Sequence, residues 1–260
     1  MSVLLLRLAG PLQAWGSASK FNRRSTEREP TKSGVIGLAA AALGIRRTDS
    51  NSLERIASQV NFAVRIDQIG RLVEDFHTAG KLDDQGKRSD KNEDKFVSYR
   101  FYLADAVFVA GLEGDIALLR ELDAALQRPV FPLFLGRRSC PPTGRLSLGI
   151  HEGGLLDVLM DCKGESPAAP WQAAKWYKRA QESDVFLEIV RDARPIEPNA
   201  FVRRDRPVSF SQEHRKYAFR HVFSDNRAVL AANPDARRRF HAPVSGPATD
   251  HDAMRAMEED

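Results

Sequence analysis

The chain opens on a short apolar run: residues 2–9 (SVLLLRLA) are rich in Leu and Val and predict a buried strand. Val60, Phe62, Val64 and Ile66 alternate with Asn61, Ala63, Arg65 and Asp67, the pattern of a half-buried strand. Val97, Tyr99, Phe101 and Leu103 alternate in the same way, and DAVFVA continues the strand pattern. Helical spacing marks other stretches. Residues 33–44 carry small side chains suited to close packing, with Ser33 as a cap and Gly44 as a stop. Asn51 to Gln59 predicts a second helix, with Asn51 and Glu54 at capping-box spacing. Asp115 to Gln127 places Ile116, Leu119, Leu122 and Leu126 on one face ahead of Pro129. Residues 69–79 read as a further extended segment, 131–150 as a Gly/Pro-rich turn and short strand, 155–161 as a short helix, and 185–191 and 217–223 as strands.

The order strand, helix, helix, strand, projection, strand, helix predicts an α+β fold of the ferredoxin-like kind over residues 1–130. The projection, at about 78–100, centres on residues 81–95, where ten of fifteen residues are charged, five of each sign. A segment of that composition cannot bury itself. Residues 131–225 would form a smaller β-rich region, with a linker at 163–172. Residues 226–260 lose periodicity and read as a poorly ordered tail. Residues 10–32, rich in Gly, Pro and polar side chains, read as a long loop of the functional kind.

With 260 residues, 42% of them hydrophobic, the chain can build one large core or two small ones. Its longest apolar runs, Val3 to Leu6 and Leu38 to Leu43, are too short to span a bilayer. The start has no basic leader and reads as a strand rather than a signal peptide. Two cysteines, Cys140 and Cys162, make neither a disulfide framework nor a metal quartet, and suggest a reducing cytoplasm. The net charge of +4 is unevenly spread. Residues 1–47 hold eight Lys/Arg against two acids, and residues 200–245 hold ten against four. Two basic ends on a balanced chain point to a surface that meets phosphates, against the plainer alternative of an Arg-rich solvated surface.

Several motifs bear on that choice. PTKSG at 30–34 resembles a phosphate loop, but Thr31 stands where the pattern needs its second glycine, which argues against a nucleotidase. A helix opening at Ser33 and Gly34 beside Lys32 could still seat a backbone phosphate, or be a plain cap. Trp15 lies in a polar loop with Gln13, Phe21, Arg23 and Arg24 nearby, equipment for stacking single-stranded bases. The alternative is that Trp15 folds back onto the core. In LGRRSCPP at 135–142, Arg137 and Arg138 sit at the tip of an irregular turn. Cys140 beside them could have a lowered pKa, but no His/Asn partner is evident. His77, close to Asp75, could act as a general base on a ribose 2′-hydroxyl with Lys81 or Arg100 as the cation. His214, His221 and His241 lack metal-ligand spacing.

LAGPLQAWG at 8–16, PTKSGVIGLAAAALG at 30–44, DFHT at 75–78, YRFYLADA at 99–106 and FLGRRSCPP at 134–142 together resemble the CRISPR-associated Cas family-five proteins, in particular their type I-E Cascade branch. The resemblance covers roughly residues 1–225. It implies an RRM-related, ferredoxin-like domain with a β-hairpin thumb, and a non-catalytic subunit that holds the 5′ handle of the crRNA at one end of a ribonucleoprotein. The implied partners are that RNA, the backbone and large Cascade subunits, and target DNA near the end of the complex, with no membrane, cofactor or metal. Carried over by motif, Gln13, Trp15, Lys32, Ser33, Gly34, Tyr99, Arg100, Arg137, Arg138 and Ser139 become candidate RNA contacts, with Gly10 and Gly136 shaping the loops. The thumb would fall at 81–95, although that segment is acidic for something lying against RNA. The alternative activity is a metal-independent endoribonuclease that processes precursor crRNA.

Overall fold

A computed structural model describes residues 1–16, 22–80, 85, 95–161, 174 and 184–232. The apolar opening run forms β1 (Ser2–Ala9). It can be apolar on both sides because it is covered on both. Leu4, Leu6 and Leu8 enter one core, and Val3 and Leu5 enter a second. The alternating stretch forms β4 (Asn61–Gln68), and the DAVFVA stretch forms β7 (Val107–Gly114), separate from the strand before it. β1 pairs antiparallel with β7 on one side and with β8 (Ser147–Glu152) on the other, and β7 pairs antiparallel with β4.

Three further strands extend the same sheet. β9 (Asp184–Asp192) pairs with β4, β11 (Lys216–Ala232) with β9, and β10 (Phe201–Ser209) with β11. The sheet therefore runs β10-β11-β9-β4-β7-β1-β8. The strands of the 131–225 region are thus not a sheet of their own. β9 offers apolar Val190 and Ile189 to the two cores that β1 and β4 had begun, so they add to one surface. β11 also continues to Ala232, past the expected boundary at 225, while residues 233–260 and the expected linker at 163–172 lie outside the described residues.

Helices α1 (Lys32–Ala42), α2 (Ser50–Gln59) and α3 (Ile116–Gln127) share the larger core. Val35, Ile36, Leu53, Ile56, Leu119 and Leu122 meet Phe62, Val64 and Phe108 there, each such side chain contributing about 1.5–3 kcal/mol on burial. Two caps differ from expectation. α1 starts after Thr31, whose hydroxyl accepts from Gly34 N, because Ser33 already lies inside the first turn. α2 starts after Asp49, which accepts from Ser52 N, so Asn51 is helical rather than capping. α4 (Leu155–Met160) covers the opposite face over β4, β7 and β1.

The loop expected at 10–32 contains two short strands, β2 (Leu12–Gln13) and β3 (Arg23–Arg24). Both pair with β6 (Lys95–Ala104), which in turn pairs with β5 (Arg71–Gly80) over ten residue pairs from Arg71↔Ala104 to Gly80↔Lys95. The β5–β6 hairpin of this second sheet is inserted between β4 and β7. Its expected charged tip falls mostly outside the described residues. Among the described residues no helix is long and apolar enough to cross a membrane.

Candidate nucleic-acid interface

The Gln-Ala-Trp loop and the paired-arginine turn come together. Ala14 N donates to Leu135 O at 3.0 Å. Gly136, at φ +91°, lies so close to Ala14 that a Cβ there would overlap its carbonyl oxygen. Arg137 closes the junction. Its guanidinium donates to Phe101 O at 3.1 Å and to Arg24 O at 2.6 Å, and stacks 4.7 Å over the Tyr102 ring. Burial alone would raise the Tyr102 hydroxyl, but hydrogen bonds from Ser139 and Arg137 and the Arg137 charge hold it below the usual phenol range. The neighbouring Cys140 thiol is pushed up by burial, which outweighs its hydrogen bond with Ser139 and the influence of Arg137; the lowered pKa expected for it is corrected.

Next to this junction is a cavity of about 1180 Å³. Four separate segments of chain supply its arginines: Arg24 from β3, Arg46 and Arg47 from the α1–α2 turn, Arg137 and Arg138 from the paired-arginine turn, and Arg215 from the β10–β11 connection. Among the described residues none of the lining is acidic. α1 lines it along most of its length, from Ser33 to Ala41, and the walls carry Phe131, Phe134, Phe210 and Tyr217. Guanidinium forks beside aromatic faces can hold phosphates and stack bases.

Several expected contacts are placed differently. Trp15 is 1% exposed, and its Nε1 donates to Gln13 Oε1 at 2.9 Å. The Gln13 amide nitrogen donates to Leu8 O and Ala106 O. These two side chains spend their polar groups internally and hold the loop in shape, so Trp15 is not the exposed stacking residue envisaged. Its ring packs on Gly34, where a Cβ would sit 2.7 Å from it. Lys32 also turns inward. Its Nζ donates to Asp192 Oδ2 at 2.8 Å and to Val60 O, and its backbone N donates to Asp205 Oδ2 at 3.0 Å. The α1 N-terminus already faces a carboxylate, which corrects its reading as a phosphate seat. Ser33 is buried near the Thr31 hydroxyl but still touches the cavity.

Behind this helix start is a buried ionic cluster. Arg220 donates to both oxygens of Asp205 at 2.6 and 2.8 Å and to Asp192 Oδ1 at 2.7 Å. Burial alone would lower the Arg220 pKa, but the two carboxylates raise it. Neither aspartate was foreseen, since each lies 160 residues or more from Lys32 in sequence.

Tyr99 and Arg100 project from opposite faces of β6, as successive strand residues must. Arg100 pairs across from Asp75, and its Nε is buried without a partner among the described residues. Arg23 stacks 4.8 Å over Phe101, on the face that also carries exposed Tyr99, while Arg24 lines the cavity. Arg138 and Ser139 are exposed. His77 and Asp75 meet at 2.9 Å on the exposed hairpin, but Lys81 and Phe21 lie outside the described residues. No group of three or more metal-type ligands occurs among the described residues. The residues missed from sequence are Arg46, Arg47, Arg215, Phe131, Phe134, Phe210 and Tyr217. A second Arg-Arg pair and the basic 200–245 stretch were the available signals for three of them.

A family model described as CRISPR-associated protein (Cas_Cas5) matches residues 3–223. The chain is 41% identical over 160 residues to the CRISPR system Cascade subunit CasD of Escherichia coli (strain K12), across 57% of this chain and 70% of that protein. A chain of a solved CRISPR RNA-guided surveillance complex superposes with a TM-score of 0.69 at 30% identity, covering 91% of this chain and 97% of that one. A Cas protein crystal structure superposes with a TM-score of 0.61 at 33% identity, covering 89% and 100%.

Proposed function

The chain belongs to the CRISPR-associated protein family described as Cas_Cas5, and from that premise we propose that it is an RNA-binding subunit of a type I-E Cascade surveillance complex. It holds the 5′ handle of the crRNA in the arginine-lined groove and caps one end of the assembly, in support of antiviral DNA targeting. The observation that carries this reading is the groove itself: among the described residues it has six arginines from four segments, aromatic walls and no acidic lining. A static clamp needs donors for phosphate and no matched acid and base. The likeness to CasD and to a surveillance-complex chain supports the assembly.

The four antiparallel strands in the order β4-β7-β1-β8, with α1 and α2 between β1 and β4 in the chain and α3 between β7 and β8, we read as the ferredoxin-like unit. The β5–β6 hairpin is then its thumb. On this reading the backbone and large subunits, and target DNA near the end of the complex, are its neighbours, and the compartment is the cytoplasm.

The test is a salt titration with labelled handle RNA. Arg46→Ala with Arg47→Ala and Arg138→Ala should weaken binding and flatten the plot of log affinity against log salt by about two, since each lost phosphate contact on a single strand removes about 0.7. An unchanged slope would refute the groove. The contact between His77 and Asp75 favours one second reading, an endoribonuclease. Repeat RNA incubated with the chain in EDTA should stay intact; a 2′,3′-cyclic phosphate product that disappears in His77→Ala would establish the nuclease instead.

A further inference from the structure

The groove has two ends, set by the two ends of α1. Trp15 packs on Gly34 in the first turn, so the paired-arginine junction lies at the N-terminal end. The C-terminal end is built differently. Val130 N donates to Ala42 O at 2.9 Å and Phe131 N to Ala41 O at 3.2 Å, while Gly44 N and Ile45 N donate to Ala41 O and Ala40 O. The last carbonyls of the helix, which would repel a phosphate, are therefore occupied by backbone amides.

What this end presents to the cavity is Phe131. It is 43% exposed, whereas Phe134, Phe210 and Tyr217 are half-buried. Phe210 and Tyr217 lean on each other, with ring centroids 6.3 Å apart, but Phe131 makes no ring or cation contact among the described residues. A lone exposed Phe is ordinary on a protein surface. This one is held rigidly. Its backbone is fastened to α1, and Pro129 and Pro132 bracket it and restrict its dihedrals. Arg46 and Arg47 follow Gly44, which lies against Val130. Both are exposed, and neither guanidinium has an ion pair or hydrogen bond among the described residues.

We propose that Phe131 is the stacking platform of the groove: one base of a bound single strand lies on its ring, while Arg46 and Arg47 hold the phosphates beside it. The proposal rests on the groove reading and gives the part envisaged for Trp15 to a residue outside the motifs. Because the ring is already mounted, little conformational freedom is lost when a base stacks on it. Unpaired guanidinium groups nearby, and a lining without acids among the described residues, favour an occupant that carries phosphates over an apolar protein segment.

The test uses labelled handle RNA on the full chain, and a set of the same RNA with one abasic nucleotide at each position in turn. Phe131→Ala should weaken the intact RNA about five- to a hundredfold without changing the salt slope, since no charge is lost. Phe131→Tyr should keep the affinity. Phe131→Leu leaves an apolar side chain on the same mount and should lose as much as alanine, which separates stacking from burial. At one position the abasic nucleotide should weaken the wild type and add nothing to the loss in Phe131→Ala. Full affinity in the alanine or leucine variant overturns the platform, as does a tyrosine variant as weak as alanine. So does an alanine loss to which every abasic position adds, or one that flattens the salt slope, which would mean displaced arginines. In these cases the groove still stands if Arg46→Ala with Arg47→Ala weakens binding and flattens the slope. A wild-type chain that does not bind the handle, or whose slope ignores that pair, overturns both readings.

Discussion

Asp205 ties the C-terminal strands to the helix that floors the groove, and Asp205→Ala measures how much. Its carboxylate has no exposed surface and accepts from Arg220 Nε, Arg220 Nη2 and Lys32 N. Alanine leaves the buried Arg220 with one remaining carboxylate, that of Asp192, and leaves a first-turn amide of α1 without its acceptor. Breaking a buried ion pair from one side costs about 3–5 kcal/mol, because the orphaned charge stays buried. In a chain of this size that lowers the melting temperature by roughly 6–20 °C. Urea unfolding followed by tryptophan emission provides the assay, since Trp15 is buried in the core that α1 shares. Asp205→Leu with Arg220→Met removes both charges and should recover most of the loss. A single-variant loss below about 1 kcal/mol would refute the reasoning, as would a double variant no more stable than the single one.

Gly34→Ala places a Cβ 2.7 Å from the Trp15 ring and 3.0 Å from the Thr31 hydroxyl. It should cost about 1–3 kcal/mol by overpacking and shift the Trp15 emission; a neutral substitution would mean that the loop can retreat freely. In a Cys162→Ser chain, Cys140 should react with iodoacetamide far more slowly than the denatured protein, because the thiol is buried and its pKa raised. With the folded pKa raised, the associated stability is full below the unfolded thiol value of about 8.5 and declines as pH rises through the folded value. Cys140→Ala should therefore lose that decline in urea midpoints above about pH 8.5.

The fold was legible wherever local pattern and burial agree. α3 follows directly from its periodicity and β1 from its unbroken apolar run, whereas β4, expected to be half-buried, is buried on both faces with Arg65 and Asp67 paired inside. β10 was missed because its burial alternates with arginines and an aspartate rather than with apolar residues. Arg203, Asp205 and Pro207 are the inward positions. A charged residue facing inward is visible only once its partner is known, and the partners of Asp205 are Lys32 and Arg220. The extension of β11 to Ala232 was missed for a related reason: its pairing with β9 shifts register between Asp225 and Val229, which breaks the alternation that marks a strand.

The site shows a division of labour that the motifs conceal. The most recognisable residues, Gln13, Trp15, Lys32, Gly34 and Gly136, are those whose geometry admits no substitute. They are buried, or in close contact with backbone, and their role is to bring distant loops to one place. Of the residues that face the cavity, Arg46, Arg47 and Arg215 form no distinctive pattern, while Arg137 and Arg138 fall within LGRRSCPP. Phosphate binding asks for positive charge within reach of a strand and tolerates its displacement by a residue or two. Sequence motifs therefore mark the scaffold of such a clamp more sharply than its gripping surface. The gripping surface emerges only when the β2–β6 pairing, the Arg137 staple and the Asp205 cluster assemble the loops around one cavity.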